Sequence, residues 1–312
     1  MMMKYILMAL FYVTFIGILL CFPESTIEYA YQGLTQWATR MVPTLFPFMM
    51  ISSMMIHTGV DTYLTKSIKP LLKPFFACSS NGLYAIFMGF LCGFPMGAKA
   101  TCDLRKSGKI SKAEAEYLLA FCNNIGPTYF LGIAFPLLAQ CGYHNKSLLL
   151  FGLYGIPLLY GSFLGKITQA PRQEHGTMSM TSEKTAHVPI TTALRLACLN
   201  SIQSILLLGG YVTFVNAFRV IPDILNLSTY ASSIAGSFLE IVYGIPGIYY
   251  NTQISNSWKA FWIMTALSFS GICCTLQTSS ITIEEDLSMK KYIFHKVMIT
   301  VIAALYYYVI LL

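Results

Sequence analysis

Charge is scarce in this chain. Asp, Glu, Lys and Arg make up 11% of its 312 residues, against 55% apolar and 14% aromatic. That balance excludes an ordinary soluble domain. Metal and redox spacings are missing too. The nine cysteines form no CxxC pair and fall mostly in apolar segments, where they read as small buried side chains. The five histidines show no ligand spacing, so no metal centre or cofactor is expected. There is no nucleophile–histidine–acid set and no phosphate loop, which argues against an enzyme. No small-x-small cleavage site follows the first apolar stretch, which continues into Cys21-Phe22-Pro23-Glu24. An uncleaved first span is the expectation.

What is present is a series of uncharged runs: Tyr5–Pro23, Met41–Val60, Gly82–Ala98, Tyr117–Tyr143, Ser147–Gly165, Leu196–Phe218, Ala260–Ile283 and Val297–Leu312. At 1.5 Å rise per residue, most can cross a hydrocarbon core of roughly 30 Å. The fold class is therefore an all-α polytopic membrane protein whose partner is the lipid bilayer. The net charge of +7 belongs to basic loops and calls for no nucleic acid.

Loop charge also tests which runs span. If all of them do, with the amino terminus inside, nine of the 20 Lys and Arg residues are cytoplasmic and the bias vanishes. If Gly82–Ala98 and the stretch near Ile224–Ile241 instead enter and leave on one side, 16 of the 20 become cytoplasmic, Lys99 and Lys296 among them. The positive-inside rule favours the second arrangement: about seven transmembrane helices plus two re-entrant hairpins, amino terminus cytoplasmic.

Within the first hairpin, Gly93-Phe-Pro95-Met-Gly97 breaks the apolar run. Pro95 suits a first helical turn and Gly108 a helix end. The roughly 20 Å between them is too short to span. Residues 93–97 are thus the tip of a hairpin near mid-membrane, where irregular backbone requires protein or a water-filled cavity beside it. Ser111-Lys-Ala-Glu114 reads as a capping box opening the next helix. That helix is itself broken at Asn123-Asn124-Ile-Gly-Pro127.

The rest of the chain repeats this plan. Residues 1–40 hold the first helix and an outer amphipathic segment. Residues 41–168 form one repeat, 169–189 a polar cytoplasmic linker, and 190–312 a second repeat with a hairpin at 231–258 around Glu240–Gly247. The order of span, hairpin, broken span and span recurs from the opposite face, as in inverted-repeat transporters.

The stretch Gly93–Gly132, with Val42–Phe48 before it and Leu239–Gly244 and Leu267–Thr278 after it in order, resembles the YlbJ-type sporulation integral membrane proteins of the nucleoside-recognition (Gate) domain group. The resemblance covers most of the chain. It departs in the last block, where Ser270-Gly271 and Thr275 stand in place of two glycines and a histidine. It implies an architecture similar to concentrative nucleoside transporters and a permease needed in spore formation. The implied cargo is dipicolinate, and the implied site of action the mother-cell-derived outer forespore membrane. A permease for nucleosides or another small metabolite, and a non-transporting scaffold, stay open beside it. So do a homo-oligomer and a spore-membrane partner.

The residues suit an anion. A helix amino terminus at Pro95–Lys99 offers unpaired N–H groups and partial positive charge. Gly93 and Gly97 permit close approach, Phe94 could stack on an aromatic ring or wedge the hairpin, and Lys99 could pair with a carboxylate or reach the cytoplasmic surface. Asn123 and Asn124 either satisfy the break or face a ligand, and Pro127 opens a second terminus beside Thr128. Glu240, the sole acid between Asp223 and Glu284, either binds a coupling H+ or Na+, helps to recognise substrate, or caps a helix at the outer interface. Ser268, Ser270, Gly271, Gln277 and Thr278 form the matching patch of the second repeat, for a ligand or for helix packing.

Overall fold

The structure, a computed structural model, describes residues 2–168 and 188–312. Apart from Val188 and Pro189, the expected polar linker at 169–189 lies outside the described residues. Everything described is helix or connecting turn. Six helices are long and apolar enough to cross a bilayer: Pro23–Thr58 (α2), Lys112–Gln140, Lys146–Thr168 (α8), Ile190–Ile224 (α9), Asn256–Glu285 and Met289–Leu311 (α14).

Six helices meet that length, against an expected count of about seven spans. The first helix, α1 (Met2–Cys21), has its apolar stretch confined to Tyr5–Cys21. That is somewhat short of the hydrocarbon thickness at 1.5 Å per residue. Its side of the fold is held by Phe15, stacked on Phe218 at 4.3 Å. The outer segment expected to end at Arg40 is not separate either. α2 runs through that boundary by a π-turn at Trp37–Met41, where the Trp37 indole donates to the Ile205 carbonyl at 2.7 Å.

After α3 (Val60–Leu72), two short helices form the first hairpin, α4 (Gly82–Cys92) and α5 (Met96–Lys106), packed on one another. Gly108 follows α5 with φ +69°. The next spanning helix is divided into α6 (Lys112–Cys122) and α7 (127–140), and the backbone between them is irregular. The expected capping box at Ser111 is half made. The Ser111 hydroxyl accepts from the Glu114 N–H at 3.1 Å, and the Glu114 carboxylate accepts from the Ser79 N–H, 35 residues earlier in the chain, at 2.6 Å.

Beyond α8 and α9 lie two more short helices and another divided one. A second hairpin pairs α10 (Thr229–Leu239) with α11 (Ile241–Tyr250). A divided helix follows as α12 (Asn256–Phe269) and α13 (Gly271–Thr282), and α14 ends the chain. The second hairpin is shorter than 231–258. Asn251 closes its base by donating to the Thr229 carbonyl at 2.8 Å, so the polar residues after Tyr250 form the turn into α12.

The two divided helices occupy the centre. The apolar window of 256–285 is 72% buried and that of 112–140 is 61% buried, against 22% for α2 and 28% for α14. Irregular backbone is thus wrapped in protein, as a membrane interior demands.

Candidate functional site

The first hairpin tip explains its own composition. Gly93 has φ +79°, a left-handed geometry that favours glycine. A Cβ there would stand 2.2 Å from the Gly126 Cα, and one on Gly97 would stand 2.2 Å from the Cys122 carbonyl oxygen. The tip therefore lies backbone-to-backbone against the α6–α7 break. The Phe94–Pro95 peptide is cis, and Pro95 caps α5 from outside its first turn.

Asn123 joins three elements at this point. Its side-chain oxygen accepts from the Ala98 N–H at 3.3 Å, and its amide donates to the Thr278 hydroxyl at 2.8 Å. Asn124 donates to the Phe121 carbonyl at 2.6 Å. Both asparagines satisfy backbone and side-chain groups around the break, and the amino terminus of α5 is partly answered by Asn123.

Neither hairpin tip is empty of protein charge. Glu240 is the single residue dividing α10 from α11, and its carboxylate accepts from the Val242 and Tyr243 N–H groups, each at 3.0 Å. It is the N-cap of α11. Lys296, assigned to a cytoplasmic loop by the charge count, is instead buried in α14. Its ammonium donates to the Asn123 carbonyl at 3.1 Å and the Asn124 side-chain oxygen at 3.3 Å, and sits 4.9 Å from the centre of the Phe94 ring.

A cavity of about 170 Å³ opens where these breaks meet. Phe94 contributes from the first hairpin, Gly126 and Thr128 from the start of α7, Glu240 from the second hairpin and Gln277 from α13. Four expected site residues thus reach one space from four elements. Gln36 and Arg40 from α2 line it as well, and no feature of the sequence singled them out. The Gln36 side chain is 3% exposed, yet neither its amide nitrogen nor its oxygen has a hydrogen-bond partner among the described residues.

The other expected residues lie elsewhere. Lys99 is drawn to Asp103 at 2.8 Å and lines a larger cavity, of about 420 Å³, with His57, Lys106, Asn200 and Glu284. One helical turn carries its side chain away from the tip. Ser268 donates to the Met264 carbonyl and Ser270 to the Leu267 carbonyl, both at 3.0 Å. Gly271 packs against the Leu239 carbonyl, and Thr278 is engaged with Asn123. Gly93, Pro95 and Gly97 shape the tip without lining the 170 Å³ cavity. In the second half, only Gln277 of the five patch residues faces it.

Lys296 had a legible signal. Tyr292, Lys296, Ile299, Thr300, Ala303 and Tyr307 are all buried and recur at helical spacing, so a lysine lies on the inward stripe of α14.

Comparison with characterised proteins agrees with this membrane architecture. The chain is 25% identical to the sporulation integral membrane protein YlbJ of Bacillus subtilis (strain 168) over 333 aligned positions, covering 96% of this chain and 81% of that protein. The length of that match supports a YlbJ-type assignment. No family model matches, and no solved structure matches.

Proposed function

We propose that this chain is a secondary-transporter-like permease for a small aromatic anion, dipicolinate, working during spore formation in the mother-cell-derived outer forespore membrane. Its frame is a pair of inverted repeats, similar to concentrative nucleoside transporters. α2, the first hairpin, α6–α7 and α8 make one repeat; α9, the second hairpin, α12–α13 and α14 make the other. The hairpins are re-entrant, α1 crosses as a seventh span, and the amino terminus is cytoplasmic. With the buried Lys99 and Lys296 set aside, 14 of the remaining 18 basic residues lie on the cytoplasmic side of this arrangement.

The observation that carries the reading is the cavity shared by both hairpins and both divided helices, the place where such repeats hold cargo. Its chemistry favours an aromatic anion. Phe94, Phe48 and Tyr129 supply aromatic wall, and Arg40 and the amino terminus of α7 at Thr128 supply positive potential. The unpartnered Gln36 amide supplies a donor and an acceptor. Glu240 opposes a dianion unless a proton or a sodium ion enters with it, which is the basis for coupled transport. Nothing in this scheme needs a catalytic group.

A second reading has its own support. Gln36, Gln277 and Glu240 together could hydrogen-bond a neutral nucleoside or similar metabolite without help from Arg40.

Uptake of labelled dipicolinate into proteoliposomes, with uridine and a non-aromatic dicarboxylate as competitors, tests both. Saturable uptake resisted by uridine and weakened by Arg40→Ala supports the anion permease. Uptake blocked by uridine and indifferent to Arg40→Ala moves the assignment to nucleosides. Folded protein that moves neither compound under proton and sodium gradients returns the scaffold reading.

A further inference from the structure

We propose that Lys296 is a built-in cation, its ammonium occupying an oxygen-lined position at the α6–α7 break that would otherwise bind a free monovalent ion. The inference rests on the permease reading for its purpose, although its occupancy is testable without any cargo.

A break in a membrane helix leaves carbonyl groups without partners at the end of its first half. Such freed carbonyls are what coordinate alkali ions in transporters and channels. Here the Asn123 carbonyl and the Asn124 side-chain oxygen both point at one atom, the Lys296 Nζ, at 3.1 and 3.3 Å. The third neighbour is the face of Phe94, which attracts cations through its ring quadrupole.

No carboxylate takes part. None of the five ion pairs among the described residues includes Lys296. Neutral oxygens and a ring face are the donor set expected of a monovalent-cation site rather than of a salt bridge. A charged group held this deep is costly in a membrane and is kept for a purpose.

The position also matters. Phe94 lines the candidate cargo cavity, and Asn123 ties the break to Thr278 of the second half. A cation at Lys296 therefore holds the hairpin tip, the break and α14 in one arrangement. Where another permease would need sodium to assemble those parts, this chain carries the charge on α14, and sodium has no place at this break.

The test is thermal unfolding of the full-length purified protein, followed by tryptophan fluorescence at constant ionic strength. Sodium chloride, potassium chloride and propylammonium chloride are compared with N-methylglucamine chloride, for the wild type, Lys296→Ala and Lys296→Met. The wild type is expected to unfold at the same temperature in all four salts, any sodium effect taken at the Glu240 carboxylate of the cavity being lost in Glu240→Gln. Lys296→Ala, which vacates both the ammonium and its stem, is expected to gain about 2 °C or more, saturably, from propylammonium or sodium. Lys296→Met keeps the stem volume and is expected to respond to sodium but not to propylammonium.

Three results overturn the proposal. They are saturable sodium stabilisation of the wild type that persists in Glu240→Gln, folded variants indifferent to every cation, and variants that cannot be recovered folded even when purified in propylammonium or sodium. A merely structural lysine gives the second result. None of these measurements uses a cargo, so loss of the uptake reading and loss of this one are separately visible.

Discussion

The Asn123 side chain donates to the Thr278 hydroxyl at 2.8 Å across 155 residues of sequence. It is the direct link between the irregular backbone of one half and α13 of the other. With the Ala98 N–H bonded to the same side chain, one amide holds a hairpin tip, a helix break and a distant helix together.

Asn123→Ala is therefore expected to cost about 2–3 kcal/mol, since buried groups lose partners on two sides. A double-mutant cycle with Thr278→Val, read by denaturation in detergent, is expected to return a coupling of about 1 kcal/mol. Additive effects would mean that the two residues stabilise the fold independently.

Backbone contact at the tip leaves no room for a methyl group. Gly97→Ala places a Cβ against the Cys122 carbonyl and is expected to destabilise by about 2 kcal/mol or more. Gly210→Ala, whose Cβ meets nothing within 4 Å, is the control and is expected to be neutral or slightly stabilising. Equal unfolding temperatures for the two variants would refute the close packing.

Gln36 separates binding from stability. Its buried amide has no partner among the described residues, so Gln36→Leu is expected to hold or raise stability by about 1 kcal/mol. Uptake is expected to fall at least about tenfold, equivalent to losing one good polar contact. A large drop in stability would show that the amide serves the fold instead of the cargo.

Glu240 carries two roles that substitution can divide. Glu240→Gln keeps an oxygen for the α11 amide groups and is expected to cost less than 1 kcal/mol, while Glu240→Ala removes the cap and is expected to cost about 1–2 kcal/mol. If the carboxylate also mediates coupling, both variants lose uptake driven by a cation gradient but retain exchange of cargo across the membrane. Retained gradient-driven uptake in Glu240→Gln would leave this residue as a cap only.

Lys99 and Arg40 exchange places relative to what the motif suggests. Lys99 is engaged with Asp103 in the larger cavity, whereas Arg40 lines the smaller one. Arg40→Ala is expected to raise the half-saturating dipicolinate concentration about tenfold or more, and Lys99→Ala to change it by less than about threefold. The reverse ranking would return the anion site to the hairpin tip.

Much of this was written in local chemistry. The scarcity of charge and the length of the apolar runs determined a multi-pass helical membrane protein, because hydrocarbon admits little else. Gly93, Pro95, Gly126 and Pro127 marked the breaks, because glycine and proline act on the backbone within a residue or two of themselves. Glu240 stood out by being alone. What the sequence by itself could not decide was which side chains meet. Lys99 and Lys296 look alike as basic residues beside apolar runs, and only the packing of α14 against the α6–α7 break buries the second among carbonyl oxygens. Gln36 and Arg40 reach the cavity because α2 continues unbroken through a π-turn and lies along it. Such contacts join residues far apart in the chain, and local propensity carries no information about them; the tertiary fold alone decided them.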